Sequence, residues 1–124
     1  MEKDLKFSSA VCTSRVQSER LLALGLKKET ADMRGVEGIE HTPTYAWSLH
    51  RLIEMMPEEI DAYPINSDDD VKETYYLSFN KWLVNYKCDN VYKECHGSIN
   101  LFSNIISMYE WLIKEGYFNK EYLV

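Results

Sequence analysis

The clearest pattern in the chain lies between Leu49 and Met56, where Leu49, Leu52, Ile53 and Met56 fall at i, i+3, i+4 and i+7. That spacing places four apolar side chains on one stripe of a helix. Ser48 is its natural N-cap, Trp47 is positioned to staple onto Leu52, and Pro57 cannot continue it. A longer stripe of Leu101, Ile105, Met108 and Leu112 predicts a helix from Ile99 to Glu115, capped by Ser98 or Asn100 and ended by Gly116. Phe102, Ile106, Tyr109 and Ile113 widen that stripe, so much of this helix should be covered. A further helix is predicted from Thr13 to Leu24, with Ser14 and Gln17 as a capping box and Gly25 as its left-handed terminator. Val16, Arg20, Ala23 and Leu24 share one face of it, with Leu21 on the apolar side.

Between Thr74 and Lys87 the period changes to two. Tyr75, Leu77 and Phe79 alternate, and then Trp82, Val84 and Tyr86 alternate with the opposite parity. One uninterrupted strand would flip its apolar face halfway along, whereas a hairpin turning at Asn80-Lys81 keeps all six on one face. This reading pairs Phe79 with Trp82, Leu77 with Val84 and Tyr75 with Tyr86, and gives Asn80 the positive φ of the turn. Ile60 to Ile65 predicts a strand that Pro64 confines to an edge or an end. Ala31 to Met33 suggests a short strand, and Gly35 and Gly38 mark Arg34 to Thr42 as a turn or loop. Asn66 to Asp70 and Cys88 to Gly97 read as loops, and the aromatic tail from Tyr117 to Val124 should pack against the body. The fold class expected is α+β: a single domain over residues 1–124, with a small antiparallel sheet of three or four strands and about three helices packed on its apolar face.

Composition narrows the function classes. A chain of 124 residues can form one core without disulfides or metal. Its net charge of −6 and lack of a basic run argue against binding a phosphate backbone, so no nucleic-acid partner is expected. No run approaches the length of a membrane span, and Met1 to Phe7 lacks the apolar core of a signal peptide. Cys12, Cys88 and Cys95 are odd in number and irregular in spacing, which does not describe a disulfide framework. A reducing cytoplasm is the expected compartment, with no membrane association. Nine tyrosines suit half-buried sheet positions, which is the simpler reading, and they also suit an interface.

Several groups invite chemistry. Cys88, Cys95 and His96 offer soft ligands for zinc, but their spacing lacks the short paired cysteines of zinc sites, and ordinary loop residues explain them more simply. Asp68, Asp69, Asp70 and Glu73 offer hard oxygens for calcium or magnesium, but the glycine of an EF-hand loop is missing, and a solvated loop is the simpler reading. Cys12 lies just before a helix, where a dipole can favour a thiolate, and His41, His50 or His96 are candidate bases for it. No local signature joins these residues, and His50 falls on the polar side of its helix. Phosphate loops, dinucleotide fingerprints, nucleophile elbows and HExxH helices do not occur. Neither a cofactor nor a metal is expected, and no catalytic residue can be assigned.

Two stretches carry a resemblance: Cys12 to Met33 (CTSRVQSERLLALGLKKETADM) and Pro43 to Pro57 (PTYAWSLHRLIEMMP). With the aromatic hairpin and the helix bearing Trp111-Leu-Ile, they resemble a group of small proteins of Bacteroides-type gut bacteria and of their phages and mobile elements. The group brings no assigned activity and no catalytic residues. What it implies is context, a cytoplasmic accessory protein of phage or mobile-element origin. The leading expectation is therefore a non-enzymatic interaction module that forms a homodimer or binds a host protein. The alternatives are a small enzyme with a site assembled across the fold, and an acidic mimic of nucleic acid.

Overall fold

A computed structural model describes residues 10–37, 42–64 and 71–124. The Ser14–Gln17 capping box forms as expected and starts α1 (Arg15–Ala23), and Gly25 (φ +101°) reverses the chain after it. The buried face of α1 differs from the sequence reading. Ser18 and Leu21 are buried, whereas Val16 is exposed. The reason is local pairing: Thr13 accepts the Trp47 N–H, and its hydroxyl meets that of Ser18 at 2.7 Å, so the polar side of α1 turns inward.

After a 3-10 turn at Lys28–Thr30 come β1 (Met33–Glu37) and β2 (Thr42–Ala46), an antiparallel pair. The segment expected as a loop from Arg34 is thus strand as far as Glu37, and the short strand expected at Ala31 begins two residues later. Residues 38–41, and with them His41, lie outside the described residues. Ser48 caps α2 (Leu49–Met55), accepting the Arg51 N–H. Leu52 and Met56 of the expected stripe are buried, Leu49 and Ile53 are half-buried, and Met55 joins the core.

The main sheet has the order β3-β4-β5-β6 and is antiparallel throughout. Its strands are β3 (Glu59–Ala62), β4 (Glu73–Phe79), β5 (Leu83–Cys88) and β6 (Val91–Gly97). β3 is an edge strand and ends before Pro64, as that proline requires. The hairpin exists, but its register is shifted by two residues from the one expected: Phe79 faces Val84 and Leu77 faces Tyr86. The turn is tipped by Lys81 and Trp82. Asn80 serves it without positive φ, accepting the N–H groups of Trp82 (2.8 Å) and Leu83 (3.1 Å) on its side-chain oxygen. Tyr75, Leu77, Val84 and Tyr86 still share the inner face; Trp82 leaves it and is exposed.

The segment Val91 to Gly97, expected as loop, is the edge strand β6. It follows a tight turn in which Asp89 takes φ +53°, and it carries a bulge at Lys93, the extra residue between the pairs Tyr86–Glu94 and Lys87–Tyr92. Its polar composition hid it, because an edge strand with one uncovered face needs few apolar side chains.

Asn100 caps α3 (Leu101–Glu115), and Gly116 (φ +82°) ends it. Ile105, Met108 and Leu112 are buried, as are Phe102, Ile106 and Tyr109; Leu101 is half-buried. α3 lies over β5 and β6 and also meets α1 and α2. The tail docks as expected. Phe118 is buried with its ring 4.9 Å from that of Tyr109, and Leu123 bridges Leu26. The fold is α+β, and the described residues form three helices and two antiparallel sheets, one of two strands and one of four.

Candidate functional site

The residues singled out for chemistry do not converge. Cys88 shares the inner face of β5 with Val84 and Tyr86, whereas Cys95 lies opposite Asn85 on the outer face. His96 is on the inner side but at the far end of the ladder from Cys88, and it pairs with Glu94 at 2.9 Å. Burial pushes the Cys88 thiol up, and the carboxylates of Asp89 and Glu73 add to the effect, which opposes thiolate formation. Cys12 bridges Ser48 and lines a cavity of about 300 Å3 with Ser14, Arg15, Arg34 and Tyr45. No histidine lines that cavity. His50 is exposed on α2, 3.8 Å from Glu54. Asp68, Asp69 and Asp70 lie outside the described residues, and Glu73 opens β4 opposite Ala62. Among the described residues no three His, Cys, Asp or Glu are grouped to hold a metal ion. Among them, too, no helix is long and apolar enough to cross a membrane.

Two surface features stand out instead, and the sequence pattern points to the first by setting Tyr76, Ser78, Leu83 and Asn85 on the face opposite the buried set. Among the described residues, the helices cover one face of the main sheet and none lies on its outer face. The register places Thr74, Tyr76 and Ser78 of β4, Leu83, Asn85 and Lys87 of β5, and Tyr92 and Cys95 of β6 on that side. Tyr76 and Tyr92 are 55% and 48% exposed. Trp82 is 52% exposed at the turn, with the Lys81 ammonium 5.1 Å from its ring centre. Asn85 is buried among these neighbours, and its side-chain oxygen has no partner among the described residues.

The second feature is a groove of about 520 Å3 between the end of α2 and the open end of β4. Ile53, Met56, Leu77 and Phe79 form its floor, with Tyr76 beside them. Glu54, Glu58 and Glu59 stand on its rim. Glu54 is held by Arg51 at 2.8 Å, whereas Glu58 and Glu59 are exposed and have no ion pair among the described residues. The lining contains no lysine or arginine. Locally, only Pro57 followed by two glutamates hinted at this place, and nothing in the pattern said that Phe79 would face it.

Compared with family models, curated proteins and solved structures, the chain matches none.

Proposed function

We propose that this chain is a non-enzymatic protein-interaction module, a cytoplasmic accessory protein of phage or mobile-element origin. One observation carries the reading: Tyr76 and Tyr92 on the outer face of the main sheet, and Trp82 at its turn, are large and exposed, and among the described residues no helix covers them. Scattered apolar side chains are normal on a surface, but two tyrosines on one uncovered face with a tryptophan at its end have the composition of a contact surface. Tyrosine and tryptophan give large contact area at little cost in rotamer freedom. The resemblance of Cys12–Met33 and Pro43–Pro57 to phage and mobile-element proteins supports the context. The three free cysteines suit a reducing compartment.

The test compares the natural chain with a Trp82→Ala, Tyr92→Ser double variant, which alters only exposed side chains. Sedimentation over a range of concentrations reads self-association, and crosslinked capture from host extract reads a heterologous partner. The natural chain should dimerise, or retain a protein that the variant loses. Two monomers with identical capture profiles would defeat the reading.

A further inference from the structure

The groove beside Phe79 begins where β3 runs out. The β3 ladder ends with Glu59 opposite Tyr76, and one further bond follows, from the Leu77 N–H to the Glu58 carbonyl at 2.8 Å. Upstream of Glu58 stand Pro57 and the end of α2; the residue in register with Phe79 is Met56, and its N–H is already bonded to the Ile53 carbonyl. β4 continues without this neighbour to Phe79, still paired with Val84 on its other side. Peptide groups along a strand point alternately to its two sides. Leu77 bonds toward β3 and Asn80 bonds toward Leu83 on β5, so Phe79, in phase with Leu77, directs its N–H and C=O into the groove. One residue's worth of free ladder therefore lies beside an apolar floor and under a carboxylate rim.

We infer that this groove seats an extended segment of a partner protein in which an apolar side chain is flanked by lysine or arginine. The inference rests on the interaction-module reading above and names the partner's chemistry. The segment adds to β4 at Phe79, drops its apolar side chain onto Ile53, Met56 and Leu77, and sets its cations against Glu58 and Glu59. A second copy of this chain fits poorly, because a symmetric contact here would set the unpaired glutamates of one copy near those of the other. The opposite edge of the sheet is less suited. The bulge at Lys93 interrupts β6, and the Lys93 ammonium is spent on the Tyr63 carbonyl at 2.8 Å.

The test uses the full chain and two probes: a capped heptapeptide alternating lysine with leucine, and its counterpart with glutamate for lysine. Amide shift mapping should show saturable changes concentrated in residues 53–59 and 76–79, with the Phe79 amide moving as a newly bonded N–H does. The glutamate peptide should leave the spectrum unchanged. A Glu58→Lys, Glu59→Lys variant should bind the lysine peptide at least tenfold more weakly, and added salt should weaken binding to the natural chain. The Trp82→Ala, Tyr92→Ser variant should bind it normally, which separates this groove from the outer face. No saturable shift, shifts spread over the whole acidic surface, or equal binding by the charge-reversed variant would overturn the inference. A partner captured through Trp82 and Tyr92 in the absence of peptide binding would leave the module and remove the groove.

Discussion

Tyr109 of α3 donates its phenolic hydrogen to the backbone carbonyl of Leu52 in α2, inside the core. α2 has seven residues, too few to be stable alone. Its last carbonyls lack partners one turn on, and the Met56 N–H, which could have served Leu52, goes to Ile53 instead. Tyr86 acts similarly just beyond the helix, donating to the Pro57 carbonyl at 2.7 Å. Tyr75 is equally buried, but its hydroxyl has no partner among the described residues.

These three tyrosines should therefore respond differently to loss of the hydroxyl. Tyr109→Phe and Tyr86→Phe each leave a carbonyl unpaired and should destabilise the fold by about 1–3 kcal/mol. Tyr75→Phe removes a desolvated hydroxyl that bonds nothing and should be neutral or stabilising. Urea unfolding midpoints of the three variants would check this, and a large loss for Tyr75→Phe would show that its hydroxyl has a partner.

Burial raises the phenol pKa of all three, and for Tyr109 and Tyr86 it does so strongly. In the unfolded chain a tyrosine titrates near pH ~10. Above that pH the unfolded state has lost protons that the folded state keeps, so stability falls as pH rises. The slope approaches about 1.4 kcal/mol per pH unit for each such group. Denaturant titrations from neutral to strongly alkaline pH should show this decline, made shallower in Tyr86→Phe. A flat profile through this range would contradict the burial of these rings.

Asp32 secures the start of α2 from outside the helix. It accepts the Ser48 N–H at 2.8 Å and also the Ser48 hydroxyl. Burial pushes its carboxyl up, but the hydrogen bonds from Ser48 and the charge of Arg51 outweigh this and hold it below its ordinary value. With the folded pKa depressed, the contribution is fully present above the unfolded value of about 3.9 and is lost as pH falls through the folded one. Asp32→Ala should cost about 0.5–2 kcal/mol at neutral pH, the range for loss of a helix cap. The natural chain and the variant should converge in stability at strongly acidic pH, as measured by thermal melts.

The β4–β5 turn depends on the Asn80 side chain, which holds two N–H groups. Asn80→Ala removes that acceptor and should destabilise by about 1 kcal/mol, whereas Asn80→Asp should keep most of the stability because a carboxylate accepts the same bonds. A chain that turned through positive φ at Asn80 would instead be stabilised by Asn80→Gly; here that substitution should lose as much as alanine does. Chemical denaturation of the three variants separates the two turn geometries.

What the sequence determined by itself is whatever depends on residues within about one helical turn of each other. Ser14 with Gln17, Ser48 before Leu49, Asn100 before Leu101, and the glycines at 25 and 116 mark helix ends because a cap and its target N–H are neighbours along the chain. The apolar spacing of α3, the alternation through Tyr75 and Leu77, and the hairpin after Phe79 are legible for the same reason. Register and burial were decided elsewhere. The hairpin settled two residues away from the alignment that buries Trp82, with Asn80 satisfying two N–H groups of the turn. Val16 lost its place in the core to Ser18 through a hydrogen bond to Thr13, which itself is tied to Trp47, more than thirty residues away. β6 became a strand because β5 offered it a ladder, although its own side chains are largely polar. The groove at Phe79 has no local signature. It exists because α2 ends so close to β3 that this strand starts short while its neighbour runs on, and only the pairing of segments distant in the chain brings those two facts together.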